Sequence, residues 1–142
     1  MIGLKIQGKW LSLILSEEKT MEVRSTYRKL IGQRIALGNS DNGLIEGYAT
    51  VSNITEIEYS EIPKYHKYHL ATPWLTNQYK DKSVVYGYLL KDVKRELNPE
   101  PYPKNYSIWF VKEKVPEQTE PFYGNTPYEK EQLLDEDNSD DL

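Results

Sequence analysis

Within its first 24 residues the chain changes hydrophobic period twice. In "MIGLKI", Ile2, Leu4 and Ile6 fall on one side, the two-residue period of a strand. "KWLSLILSEEK" then places Trp10 with Ile14 and Leu11 with Leu15 at i,i+4 spacing, which predicts a short amphipathic helix with a wide apolar face. "TMEVR" returns to alternation, with Met21 and Val23 on one face and Thr20, Glu22 and Arg24 on the other. Further strands are expected in "QRIALGN", closed by the turn "NSDNG", and in the long run "LIEGYATVSNITEIEY", where Gly47 marks a bend or bulge. "SEIPKYHKYHLATPWLTNQYKDK" reads as a short helix or two plus loop, and "SVVYGYLLKDVKRE" and "YSIWFVKE" as the last strands. Strands outnumber helices and no strand–helix–strand alternation appears. The expected class is α+β, a small, mostly antiparallel sheet or barrel with peripheral short helices.

A chain of 142 residues suits one domain with an extension. Its 38% hydrophobic content suffices for a core, while a mean hydropathy of -0.72 implies a heavily polar surface. The absence of cysteine excludes disulfides and thiolate chemistry. No run approaches the ~18 apolar residues of a membrane span, and Lys5, Gln7, Gly8 and Lys9 interrupt any leader-like pattern at the start. The expectation is a soluble cytoplasmic protein. The net charge of -4 conceals two regimes. Glu129 to Leu142 hold seven acids and one lysine, which leaves 15 acids and 17 bases in residues 1–128, a mildly basic body. Residues 1–115 are expected to be the domain, and 116–142 a proline-containing, acidic, flexible extension.

If Met21 and Val23 enter the core, the pleat puts Thr20, Glu22 and Arg24 on the opposite face at about 6–7 Å spacing. Lys19 stands at the helix-to-strand corner and can swing towards that face. A cation, a hydroxyl, a carboxylate and a guanidinium in one short span suit a phosphate, or a base edge that needs both donor and acceptor. Two plainer readings stand beside this one. Lys19 can answer the negative end of the preceding helix, and Glu22 and Arg24 can form cross-strand pairs.

"LSLILSEEKTMEVR", followed by "LIGQRIAL" and "IEGYATVSNI", resembles the ASCH domain family, relatives of the PUA RNA-binding domains. The likeness covers Gly3 to Ile57 and continues more loosely through "VVYGYLLKDVK" and "SIWFVK". Lys19, Thr20, Glu22 and Arg24 match the family motif, but Glu17 stands where its usual glycine would end the helix. The resemblance implies a PUA-like β-barrel with a cleft between barrel and helix, the Lys–Thr–Glu–Arg motif on its wall, and RNA or a nucleotide as ligand. It also raises an amidohydrolase acting on an acylated nucleoside such as N4-acetylcytidine. One branch of the family uses a lysine to activate a threonine three residues later. Here that position is Glu22, and a carboxylate cannot form the same acyl intermediate. Lys19 and Glu22 are the catalytic candidates if the protein is an enzyme.

Other stretches offer weaker chemistry. His66 and His69 have the spacing of a helical metal pair but lack an obvious third ligand, so no metal or other cofactor is expected. With Lys64, Tyr65, Lys67 and Tyr68 they interleave cations and rings that can stack on bases or simply cover one end of the barrel. Tyr68 and His69 are carried as ligand-binding candidates on the far side of the cleft. Trp109 either faces the cleft, where it can stack on a ligand, or turns into the core; alternation permits both phases. Trp10 and Trp74 read as core. "KDVKRE" reads as a solvated strand edge, and "NPEPYPK" as a proline-stiffened loop whose Tyr102 closes over the cleft or anchors the turn. The expected partners are RNA or a nucleotide or nucleoside, with no membrane. A protein-interaction module using the aromatic surface and acidic end is the third class, and the oligomeric state is open.

Overall fold

The computed structural model describes residues 1–113, so the expected extension at 116–142 lies outside the described residues. In chain order the elements are β1 (Ile2–Ile6), α1 (Gly8–Leu15), β2 (Met21–Arg24), β3 (Arg34–Asn39), β4 (Leu44–Glu58), a 3₁₀ segment (Tyr59–Tyr65), α2 (His66–His69), α3 (Thr72–Gln78), β5 (Val84–Pro101) and β6 (Trp109–Val111). The six strands form one sheet in the order β2-β5-β4-β3-β1-β6. Only β1 and β3 run parallel, because α1 and β2 intervene and carry the chain back over the sheet. The α+β class and the largely antiparallel pairing agree with the sequence.

Among the described residues, closure into a barrel, which the resemblance implied, is not made by the backbone ladders: β2 and β6 stand at the two edges of the sheet. The sheet curls enough for side chains to span between its ends. The Arg24 guanidinium on β2 donates to the Lys5 carbonyl on β1 at 3.0 Å, and the rings of Tyr88 on β5 and Trp109 on β6 meet edge-on at 6.1 Å. Register breaks along β4 and β5 supply part of this bending. Gly47 sits at the first of them, and a Cβ there would lie 2.6 Å from the Lys94 carbonyl oxygen, so only glycine permits the close approach.

"NPEP" is not a loop. Residues Asn98 to Pro101 continue β5, with Glu100 opposite Ile45 and Pro101 opposite Leu44. Beyond Leu89, β5 has β4 as its neighbour on one side and, among the described residues, no strand paired on the other, where proline is accommodated. Tyr102 anchors the turn that follows, stacking on Phe110 at 4.8 Å and donating to the Asn39 carbonyl at 3.3 Å.

Two large apolar clusters, with a smaller third around Ala36, Ile45 and Phe110, organise the described interior. The first packs Leu11 and Ile14 of α1 against Leu4, Ile6, Tyr88 and Trp109 on the curled sheet. The second joins Met21 and Val23 of β2 to Ile57, Ile62, Leu75 and Val85, placing the helical segment 59–79 as a roof over this part of the sheet. Each fully buried aliphatic side chain contributes roughly 1.5–3 kcal/mol, so β2 is held chiefly by Met21 and Val23. That fixes which way their neighbours face.

Candidate functional site

α1 ends in a turn that aims Lys19. Glu17 adopts φ +67°, the left-handed conformation usually left to glycine. Its N–H donates to the Ile14 carbonyl at 2.9 Å, and the Lys19 N–H to that of Leu13 at 3.0 Å. The helix therefore terminates in the usual way without the usual residue. The Lys19 side chain does not answer the helix end. It reaches under the roof, where its ammonium donates to the His69 carbonyl and lies 3.5 Å from Glu22 Oε1. Glu22 Oε2 in turn stands 2.8 Å from Arg24 Nη2.

Lys19, Glu22 and Arg24 are thus contiguous, and they are 2%, 6% and 8% exposed. Desolvation is the largest cost on such charges, and a shared carboxylate is what makes two adjacent buried cations tolerable. Burial pushes the Lys19 amine below its ordinary value, while the charge and hydrogen bond of Glu22 pull it back up. All three residues line a cavity of about 300 Å³. Gln7 and Trp10 form its α1 side, Trp74, Leu75 and Gln78 of α3 its roof, and Ile108 part of its floor. The volume falls in the lower range of small-molecule sites. The walls combine three cationic residues (Lys5, Lys19 and Arg24), a carboxylate, two side-chain amides and two indole rings.

The other candidates from the sequence are placed elsewhere. Thr20 does not line the cavity; its N–H donates to the Tyr68 carbonyl and its carbonyl accepts from Leu90, both at 2.9 Å, tying the roof to the sheet. Tyr68 packs against the second apolar cluster and also lies outside the cavity wall. His69 is fully buried. Its Nδ1 accepts from the Ala71 N–H at 3.0 Å, so the Nε2–H donates to the Ile62 carbonyl at 2.9 Å. Both ring nitrogens are spent on backbone, so His66 and His69 do not make the metal pair that their spacing permits. His66 instead shares a 2.7 Å hydrogen bond with the Thr72 hydroxyl. Trp109 takes the inward phase, 1% exposed, with Arg28 stacked at 4.8 Å and Tyr88 edge-on; its neighbour Ile108 reaches the cavity instead.

Trp74 corrects the core expectation in the opposite direction, and Trp10, which packs against both apolar clusters as expected, also reaches the cavity. Both line the cavity, with ring centres 6.4 Å apart, and Trp74 is 39% exposed. The Lys9 ammonium lies 4.9 Å from the Trp10 centre and 4.7 Å from that of Trp74. The cation beside a ring in "KW" was the one local hint; nothing in the sequence around Trp74 marks it.

Known proteins agree with this architecture. The ASCH domain model matches residues 4–125. The crystal structure of ASCH from Zymomonas mobilis aligns with a TM-score of 0.69 and 14% identity, covering 94% of this chain and 92% of that one. A serine-to-alanine mutant of the Zymomonas mobilis protein gives 0.64 and 16% identity over 70% of this chain and 72% of that chain. At such identities the likeness speaks for the fold alone. Among curated proteins no sequence matches. With the domain model spanning most of its length and the same fold in these solved structures, the chain belongs to the ASCH domain family.

Proposed function

We propose that the chain binds RNA or a nucleotide in the cavity beneath α3. The observation that carries this reading is the convergence of Lys19, Glu22 and Arg24 on one recessed wall facing two tryptophans. The family's PUA-like fold is generally linked to RNA binding. In this reading Lys19 and Arg24 engage a phosphate or a carbonyl acceptor, and Glu22 orients Arg24 or accepts a base amine. Trp10 and Trp74 take the ligand-facing role first assigned to Tyr68, His69 and Trp109, while Thr20 keeps a backbone role. Affinity for a single-stranded RNA, measured by fluorescence anisotropy, should fall steeply with salt and fall further in Arg24→Gln. Affinity that ignores both salt and the substitution would refute it.

A second reading rests on Lys19 and its neighbour Glu22. A buried amine pushed below its ordinary value, 3.5 Å from a carboxylate, can carry a proton in hydrolysis of an acylated nucleoside. With Glu22 in place of the family's threonine, water rather than a side-chain hydroxyl would attack. Turnover of N4-acetylcytidine, followed by chromatography and abolished in Lys19→Ala, would establish it; no turnover by the folded wild type removes it.

A further inference from the structure

The binding reading leaves open which part of a nucleotide enters the cavity, and the two walls differ in what they still offer. On the polar wall each Glu22 oxygen already faces a cation, Lys19 at 3.5 Å and Arg24 at 2.8 Å. A phosphate placed there would sit against that carboxylate and have to compete with it for both cations, and Lys5, the third cationic residue of the lining, already donates its ammonium to Asn105 Oδ1 at 2.7 Å. A neutral base edge faces no such penalty, since its carbonyls accept from N–H groups and its amines donate to carboxylate or amide oxygens. The polar wall therefore works as a set of paired donors and acceptors more than as a bare anion site.

The opposite wall offers a flat π surface. Trp74 projects from α3, a helix held in place by buried Leu75 and Tyr79, so its position is set by the core. Gln78 lies one helical turn on, at i+4, and lines the same cavity. Trp10 backs Trp74 at a tilt of 55°, and Lys9 bridges the pair without itself lining the cavity. A planar heteroaromatic ring with donors and acceptors on its edge matches an indole face flanked by amides and charges. A base within a duplex has both faces covered and cannot present itself this way.

We infer that Trp74, backed by Trp10, is the stacking face for one unpaired nucleobase, so that the cavity takes a base while the phosphates stay outside. This rests on the nucleic-acid reading given above. The test compares the full chain's affinity for a mixed-sequence single-stranded RNA, the same strand in a blunt duplex, and the same strand with abasic residues. The single strand should bind best, with duplex and abasic strand at least tenfold weaker. Trp74→Ala should weaken single-strand binding roughly ten- to a hundredfold, and Trp74→Phe should restore most of it. Trp74 lies outside both main apolar clusters, so the fold should survive its removal, as circular dichroism would verify. Equal binding of all three RNAs with no effect of Trp74→Ala would overturn the base-stacking inference while leaving phosphate binding intact. If none of the three RNAs binds, the nucleic-acid reading itself fails and this one with it.

Discussion

Two hexapeptides of similar composition meet opposite fates. "KTMEVR" (Lys19–Arg24) and "KDVKRE" (Lys91–Glu96) both mix cations and acids with apolar residues, and both lie on or against strands. In the first, Lys19, Glu22 and Arg24 are buried; in the second, Lys91, Asp92, Lys94 and Arg95 are exposed. What separates them is cover. The roof at 59–79 closes over β2 and supplies the His69 and Tyr68 carbonyls that fasten Lys19 and Thr20. The distal half of β5 has β4 on one side and, among the described residues, no strand paired on the other. There the local acid is managed by a hydrogen bond: Tyr48 donates to Glu96 at 2.7 Å, which holds that carboxyl below the usual range. Charge content alone predicts neither a site nor a solvated face; desolvation makes the difference.

The contrast can be broken most directly at Glu22. Glu22→Gln removes the carboxylate that two buried cations share and should cost about 3–5 kcal/mol, whereas Lys94→Ala on the open strand should stay within about 0.5 kcal/mol. Urea unfolding of both variants measures this, and equal costs would mean that burial does not separate the two stretches.

A pH titration tests the roof itself. Burial pushes the His69 imidazole below its ordinary 6.5, and its neutral tautomer is fixed by the Ala71 and Ile62 backbone. Between the folded and unfolded values only the unfolded chain carries the proton. The contribution is therefore complete above pH 6.5 and is lost as pH falls below it towards the folded value, by at most about 1.4 kcal/mol per pH unit. Unfolding at pH 7.5 and pH 5 should show a steeper acid loss in the wild type than in His69→Gln; parallel losses would show that the neutral ring does not fasten the roof.

The smallest effect concerns how the buried stretch is aimed. Glu17 bears the cost of a left-handed backbone, and Glu17→Gly should raise stability by roughly 0.5–1 kcal/mol. A thermal melt that moved downward would mean that the Glu17 side chain, not merely its backbone, helps position Lys19.

Much of the site could be read locally because its placement follows from period. Once Met21 and Val23 enter an apolar cluster, a pleated strand puts Glu22 and Arg24 on the other face, and the exit of α1 delivers Lys19 beside them. Trp109 could not be read this way, because Ile108 to Val111 are all apolar and offer no alternation, whereas β2 alternates apolar with charged residues even though both of its faces are buried. Thr20 shows the opposite limit. Its residue type suited a ligand, but its position just before β2 made it a backbone tie between sheet and roof. Trp74 was hidden because its exposure depends on how α3 seats against β2, which neither residue determines alone.

By itself the sequence determined the α+β class, the order of helix and strands around the charged motif, and the orientation of β2, since these depend on periodicities of two and 3.6 residues that neighbouring side chains impose. Tertiary structure alone decided that the sheet curls without closing its ladder, that "NPEP" extends a strand, and that two tryptophans rather than Tyr68, His69 or Trp109 face the charged wall. Those outcomes rest on contacts between segments far apart in the chain, where burial and the pairing of charges are settled by what arrives from elsewhere.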